Sequence, residues 1–112
     1  MKKITAIVRQ CKLEAVKESL GQNNFKGITV SNVTGAGLQQ GQTAQYRGNV
    51  YKVNLLPKVR IDVVVKDDLV ESLVQIIARE ARTGEIGDGK IFISPVEEVV
   101  RIRTGERGEK AI

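Results

Sequence analysis

The sequence of 112 residues contains no histidine, and this absence excludes more chemistry than any other feature of its composition. Histidine is the usual general base near neutral pH, the commonest metal ligand and the partner that activates serine and cysteine nucleophiles. Most classes of enzyme therefore become poor candidates. A protein that binds its ligand without transforming it is favoured.

Cysteine is nearly absent too, since Cys11 is the single thiol and cannot form an internal disulfide. A lone thiol is typical of a protein from a reducing compartment. No apolar run approaches the roughly 20 residues of a membrane span, and the apolar residues 4–8 are fewer than the core of a secretory signal. The single cysteine and the absence of a long apolar segment in the sequence predict a cytoplasmic protein.

Aromatic residues are also scarce, at 4% of the chain, and they are scattered along it. The net charge of +5 predicts an anionic partner, which a nucleic acid, a lipid surface or a nucleotide would provide. Single-stranded nucleic acid is usually held by a platform of stacked aromatic side chains. Direct binding of nucleic acid is therefore disfavoured.

The apolar residues recur with strand and helix periods that predict a ferredoxin-like α+β fold over residues 1–112, as a single domain. Gly21, followed by Asn23 and Asn24, is expected to end the first helix, and Asp67 or Asp68 to cap the second. Two helices would cover one face of a four-stranded antiparallel sheet, and the open face predicts self-association. The predicted strands are residues 4–8, 28–33, 59–65 and 91–94, the predicted helices are residues 12–20 and 69–81, and residues 99–103 form a further extended piece.

A long connection, residues 37–55, separates the second and third predicted strands. It is mainly polar and uncharged, and it holds both tyrosines together with Gly41 and Gly48. Structureless connections near 20 residues are uncommon inside small domains and are usually functional. We therefore expect this loop to carry a function.

A glycine-rich stretch between the second helix and the last strand, about residues 82–90, predicts a site for phosphate. Gly84, four further residues, Gly89 and Lys90 almost match a Walker A motif, but Ile91 replaces the serine or threonine that binds Mg²⁺. The order of elements also differs, because a helix precedes this loop and a strand follows it. Backbone amides and Lys90 still form a plausible anion cradle, and the alternative is an ordinary helix-to-strand turn.

Other polar residues are candidates with open alternatives. Arg101 and Arg103, spaced to share one face of a strand, make a forked donor set for a polyphosphate, although paired surface arginines are usually only solvated. Gln39 offers an amide oxygen to a metal or an ordinary loop contact. Lys58, at the root of the long loop, would hold an anion or lie in water.

The motifs taken together resemble the PII family of nitrogen-regulatory signal-transduction proteins, and the resemblance covers essentially the full chain. The family's order and spacing are met by Gly41-Gln42-Thr43, Tyr46-Arg47-Gly48, Tyr51, Leu56-Pro57-Lys58-Val59, Thr83-Gly84, Ile86-Gly87-Asp88-Gly89-Lys90-Ile91-Phe92 and Arg101-Ile102-Arg103-Thr104-Gly105-Glu106. The resemblance implies a homotrimer that binds ATP or ADP in clefts between its ferredoxin-like subunits. With MgATP bound, such a protein also takes 2-oxoglutarate.

The resemblance also assigns residues to these ligands. Adenine would meet Thr29, Asp62 and Val64, while 2-oxoglutarate would meet Gln39, Gln40, Gly41, Lys58 and Gly87. Gln39 would in addition be a ligand of Mg²⁺. The remaining nucleotide contacts would come from Gly37, Leu38, Gly87, Asp88, Gly89, Lys90, Arg101, Ile102 and Arg103.

The long loop would be the family's T-loop, which engages an ammonium transporter, glutamine synthetase, a transcription regulator or a modifying enzyme. Contact with a membrane would then occur only through a transporter partner. Tyr51 matches a position that is uridylylated in some members. Leu38 and Gln40 replace an arginine and a lysine common in the family, so one or two phosphate contacts are missing. Asn49 replaces the serine of members that are regulated by phosphorylation, which excludes that switch.

The sequence therefore predicts a trimeric signalling protein without catalytic turnover. The alternatives are a small ATP-using enzyme or an RNA-binding module on the same fold. The first lacks a nucleophile beside a base, and the second lacks the aromatic platform.

Overall fold

The computed structural model describes residues 1–37 and 54–112. Single turns of 3₁₀ helix precede both α-helices, and another lies at Gly108–Ala111. The predicted order of strands and helices is confirmed. The elements are β1 (Lys2–Arg9), α1 (Leu13–Gln22), β2 (Thr29–Gly37), β3 (Asn54–Val65), α2 (Val70–Ala81) and β4 (Lys90–Pro95).

The four strands form one antiparallel sheet in the order β2-β3-β1-β4. β1 is central, because Ile4 lies opposite Val63 of β3 on one side and Ile93 of β4 on the other. The first and third strands in sequence therefore pair side by side, with the second and fourth at the edges. This is the predicted ferredoxin-like arrangement.

The hydrophobic core lies between the sheet and the two helices. Ile4, Ala6 and Val8 alternate with partly exposed neighbours along β1, as a strand with one buried face requires. The opposite face of the sheet is only partly covered, so the prediction of one open face is confirmed. The core cluster consists of Ile4, Ala6, Val8, Val16, Leu20, Phe25, Val59, Ile61, Val63, Val65, Leu73, Ile76, Ile77 and Ala81.

β2 and β3 are longer than predicted and form an extended antiparallel ladder that reaches Gly37 opposite Asn54. The long loop is therefore one or two residues shorter at each end than the predicted range of about 37–55, since residues 37, 54 and 55 are strand residues. Pro57 lies inside β3, although we expected the strand to begin after it. The proline is tolerated because β1 ends at Arg9, opposite Lys58, so Pro57 has no neighbour on that side.

The predicted end of α1 is confirmed at its C-cap Asn23, whereas the predicted cap of α2 is wrong. α1 continues through Gly21 to Gln22, and the left-handed residue that follows is Asn24, with φ of 65°. Neither predicted aspartate caps α2, which starts from a 3₁₀ turn with no side-chain cap. The Asp67 carboxylate instead forms ion pairs with the N-terminal ammonium at 2.9 Å and with the Lys2 ammonium at 3.2 Å.

The chain beyond β4 is not the extended piece predicted for residues 99–103. It folds back on itself through an isolated bridge between Val100 and Arg107. Within this fold the amide of Arg101 donates to the carbonyl of Glu106 at 2.9 Å, and the amide of Gly105 donates to the carbonyl of Arg101 at 2.8 Å. Separately, none of the helices in the described part of the chain is long and apolar enough to cross a membrane.

Candidate anion-binding site

The glycine loop, residues 82–89, connects α2 to β4 and lies against the end of β1. Gly84, Gly87 and Gly89 have φ of 91°, 104° and 98°, a region that residues with a Cβ rarely adopt. A Cβ built on Gly89 would lie 1.7 Å from the carbonyl oxygen of Ile7. Both backbone conformation and close approach therefore require glycine at position 89.

The Asp88 carboxylate organises the glycine loop from inside. It accepts hydrogen bonds from the amides of Thr83 and Gly84, both at 2.9 Å, and from Arg9 Nε at 3.1 Å. It also accepts one from the Thr83 hydroxyl. The Thr83 hydroxyl and amide are the main reasons why the pKa of Asp88 lies well below its ordinary value. The Asp88 carboxylate thus holds the loop in shape through internal hydrogen bonds. Of this residue, only the backbone amide can therefore bind an anion.

Two cations from the sheet hold carbonyl groups of the same loop. Arg9 Nη2 donates to the Ile86 oxygen at 2.8 Å, and Lys58 Nζ donates to the Gly87 oxygen at 2.5 Å. Lys58 is only 9% exposed, so it is not the solvated strand-end lysine of the alternative interpretation. Burial lowers the pKa of Lys58, and the nearby charge of Arg9 lowers it further.

The predicted phosphate ligands come together in this loop. Among residues 1–37 and 54–112, the amides of Gly87, Asp88 and Gly89 make no hydrogen bond of the turn, loop or side-chain kind. Lys90 follows as the exposed first residue of β4, opposite Ile7. Consecutive amides and an ammonium are the donor set that phosphate needs, so the loop can serve as an anion cradle.

The three predicted adenine contacts lie elsewhere, around a pocket of about 540 Å³ that we call the Asp62 pocket. Thr29 and Asp62 face each other across β2 and β3, and Val64 lines the same pocket with the C-terminal residue Ile112. Asp62 accepts hydrogen bonds from the hydroxyl of Thr5 at 2.6 Å and from Arg60 Nε at 2.9 Å. Burial acts to raise the pKa of Asp62, but these bonds outweigh it and hold the pKa below its ordinary value.

The two arginines do not share a strand face, so that prediction is wrong. Arg101 reaches the Glu106 carboxylate at 2.9 Å and the Lys110 carbonyl at 3.2 Å, and it thereby pins the C-terminal segment beside the Asp62 pocket. Arg103 lies in the adjoining turn and is exposed, with no side-chain hydrogen bond to the described residues. Ile102 between them is fully exposed.

The candidate residues of one chain thus form two groups at different positions along β1. The glycine loop contacts Arg9, whereas the C-terminal segment starts beside Met1, where the Val96 amide donates to the Met1 carbonyl at 3.1 Å. Lys90 begins β4 beside the glycine loop, whereas the two arginines belong to the folded C-terminal segment. Four strand residues, or about 13 Å, separate Thr5 at the Asp62 pocket from Arg9.

Several predicted residues lie outside the described part of the chain, namely Leu38, Gln39, Gln40, Gly41 and Tyr51. Gly37 is described as the last residue of β2. No three metal-binding side chains of His, Cys, Asp or Glu type come together within residues 1–37 and 54–112. The predicted magnesium ligand, Gln39, is not among those residues.

Arg9 belongs to this site although the sequence did not predict it, and Thr83, inside the predicted stretch, has a role that was not predicted. Arg9 lies 79 residues before Asp88, and no local pattern in the sequence connects them. The pairing of Thr83 with Asp88 could have been predicted from the sequence, because threonine and aspartate side chains often close short loops onto nearby backbone amides.

Comparison with known proteins agrees with this architecture. The family described as Nitrogen regulatory protein P-II matches residues 1–106. Nitrogen regulatory protein P-II of Azospirillum brasilense is 57% identical over the whole of both chains, and its counterpart from Cereibacter sphaeroides is 54% identical over the same span. Nitrogen regulatory protein P-II 2 of Methanothermobacter thermautotrophicus is 54% identical over all of this chain and 97% of its own.

The match covers nearly the whole chain, including the glycine loop, Asp62 and both arginines. Proteins of this family are regulators that act on target proteins in signal transduction, and they are not enzymes. The predictions of a signalling role and of no catalytic turnover are therefore confirmed. The chain belongs to the P-II family of nitrogen regulatory proteins.

Proposed function

We propose that the protein binds ATP or ADP in clefts between neighbouring subunits of a homotrimer and reports the nucleotide and 2-oxoglutarate state to its targets. The observation that carries this proposal is the separation of the two groups of candidate residues within one chain. Neither the glycine loop nor the Asp62 pocket has all the predicted nucleotide contacts. A second copy, meeting the first through the open sheet face, would supply the missing half.

The chemistry of the two halves fits a nucleoside polyphosphate. The glycine loop offers the amides of Gly87, Asp88 and Gly89 and the ammonium of Lys90 to the phosphates. Arg101 and Arg103 of the neighbouring subunit would add guanidinium groups across the cleft. Thr29, Asp62 and Val64 of the same neighbour would receive the adenine, since they combine polar groups with an apolar wall.

The proposal assigns 2-oxoglutarate to the root of the long loop, beside the glycine loop. Lys58 would pair with a carboxylate of this dianion, and Gln39 would ligate Mg²⁺ together with the nucleotide phosphates. Gln40, Gly41 and Gly87 would contribute further contacts. The burial of Lys58 supports this role, because an ammonium in a poorly solvated place gains more from an anionic partner than one in water.

The output of the protein would be the conformation of the T-loop. The ladder of β2 and β3 connects its two ends to Lys58, so a ligand at Lys58 acts close to the loop. Candidate targets are an ammonium transporter, glutamine synthetase and a transcription regulator, and Tyr51 is a candidate for covalent modification. The proposal places the protein in the cytoplasm, as the lone Cys11 favours.

Light scattering combined with calorimetry tests the shared cleft. The proposal expects the mass of three chains at micromolar concentration and one nucleotide bound per chain. A monomer that binds ATP with an undiminished affinity would refute the shared cleft. RNA binding without any affinity for ATP would refute the proposed function as a whole.

A further inference from the structure

Two cations from the sheet hold three consecutive residues of the glycine loop. Arg9 contacts both the carbonyl of Ile86, at 2.8 Å, and the carboxylate of Asp88, at 3.1 Å. Lys58 contacts the carbonyl of Gly87 between them, at 2.5 Å. Arg9 and Lys58 are themselves paired neighbours, at the end of β1 and on β3. The loop is thus tied to the end of β1 and to the adjacent residue of β3.

These contacts fix the direction of the loop amides. In a planar trans peptide the C=O group and the following N–H group point in opposite directions, and the described residues contain no cis peptide bond. The Ile86 carbonyl points to Arg9, so the Gly87 amide must point away from it. The Gly87 carbonyl points to Lys58, so the Asp88 amide must likewise point away from the two cations.

Successive amides ordinarily alternate in direction along an extended chain, because successive peptide planes are related by a pleat. The φ of 104° at Gly87 departs from that pattern and lets both neighbouring carbonyls approach sheet cations. Backbone turns of this kind make concave anion sites from adjacent N–H groups. The orientation of each amide N–H group therefore depends on the residue that holds the carbonyl group of the same peptide bond.

We propose that Arg9 is a positioning residue of the nucleotide site, which orients the Gly87 amide by holding the Ile86 carbonyl and, with Lys58 on the next carbonyl, fixes the Asp88 residue through its carboxylate. This inference rests on the proposed function, because it assigns the loop amides to the phosphates. Arg9 acts through the loop and need not touch the ligand. Its planar guanidinium suits the role, because two of its N–H groups can bond two acceptors at fixed relative positions.

The test combines amide NMR of the ligand-free protein with calorimetric titration of ADP, on the parent and on Arg9→Met, Arg9→Lys and Arg79→Met. Arg9→Met should move the resonances of Gly87, Asp88 and Gly89 and weaken ADP binding about tenfold, the effect of losing one charge-assisted hydrogen bond. Arg9→Lys keeps a donor and a charge, so it should recover part of both losses. Arg79→Met removes the same charge from the exposed side of α2 and should change neither quantity.

Three results would overturn the inference. The first is loop resonances of Arg9→Met that coincide with those of the parent. The second is an unchanged ADP affinity although the resonances move. The third is an equal loss of affinity in Arg79→Met, which would indicate a general charge effect. If the parent itself binds no nucleotide, the proposed function fails. The loop resonances alone then decide whether Arg9 orients the amides.

Discussion

Lys58 Nζ donates a hydrogen bond of 2.5 Å to the carbonyl oxygen of Gly87. One residue lies on β3, close to the root of the long loop, and the other lies in the glycine loop. The proposed 2-oxoglutarate contact is therefore already bonded to the proposed phosphate site. A carboxylate that pairs with Lys58 must share or replace this bond, which gives the two ligand sites a direct physical connection.

Lys58→Met should abolish 2-oxoglutarate binding and leave most ATP binding in place. Methionine keeps the length and packing of the side chain but removes the charge that a carboxylate needs. Calorimetry with ATP alone, and then with 2-oxoglutarate added to the MgATP complex, separates the two effects. A variant that still binds 2-oxoglutarate like the parent would remove Lys58 from the proposed site.

The acid titration of Asp88 should depend on Thr83. The folded pKa of Asp88 lies below its ordinary value of 3.8, so this group stabilises the native loop fully above that value. The stabilisation is lost as the pH falls through the lowered folded pKa. Thr83→Val removes the hydroxyl that contributes most to the shift, and the pKa of Asp88 should rise towards 3.8.

Carboxyl ¹³C NMR over an acid titration measures this pKa directly. Thr104→Val is the matched control, since it removes a hydroxyl that bonds Glu106 in the C-terminal segment instead. An unchanged titration of Asp88 in Thr83→Val would contradict the hydrogen bonding of the glycine loop described above.

Gly89→Ala should destabilise the protein more than Gly84→Ala does. Both positions have positive φ, which costs a residue with a Cβ about 1–2 kcal/mol. Nothing lies within 4 Å of a Cβ at Gly84, whereas at Gly89 the backbone oxygen of Ile7 would be 1.7 Å away. Displacing that backbone should add at least about 1 kcal/mol.

Urea unfolding of both variants, at one protein concentration because association contributes to stability, gives the comparison. Equal losses of unfolding free energy in the two variants would mean that the glycine loop does not rest on β1 at Gly89.

Lys90→Ala and Arg103→Ala should each weaken nucleotide binding by about 1.5–3 kcal/mol, the range for a hydrogen bond to a charged group. Neither change should alter the fold, since both side chains are exposed. Arg101→Ala is expected to behave differently, because Arg101 also anchors the C-terminal segment through Glu106 and Lys110. It should loosen that segment as well as weaken binding.

Calorimetry measures the three affinities, and hydrogen exchange of residues 104–112 distinguishes Arg101 from Arg103. Lys66→Ala and Arg79→Ala remove exposed charges elsewhere and serve as controls. ATP binding of parental strength in both Lys90→Ala and Arg103→Ala would show that the anion cradle is assigned wrongly.

The sequence predicted the fold well where one period dominates. Ile4, Ala6 and Val8 alternate strictly, and their burial follows from the pleat of a strand with one covered face. The sequence predicted the ends of strands and helices poorly, because the end of a strand depends on the neighbouring strands that pair with it. Pro57 is accommodated inside β3 only because β1 stops one position away.

In the candidate site, too, features that depend on neighbouring residues in sequence were predicted better than features that depend on distant ones. Glycines with a following lysine were a local signal for a loop, and three of those glycines do have positive φ in the structure. The partners of that loop were not predictable, since Arg9 meets Asp88 across 79 positions of sequence. The alternation of residues 99–103 suggested a strand, but hydrogen bonds among Arg101, Gly105 and Glu106 fold that segment into a turn.

The central claim, that the chain senses 2-oxoglutarate through a nucleotide-loaded cleft, is tested most directly by titrating 2-oxoglutarate with and without MgATP. Calorimetry should detect binding with MgATP present and none in its absence or with ADP alone. Hydrogen exchange of residues 42–54 should then differ among the ADP, MgATP and doubly liganded forms, because a ligand shifts a conformational equilibrium only through unequal affinity for its states. Equal binding of 2-oxoglutarate without ATP, or identical exchange in all three forms, would contradict the account.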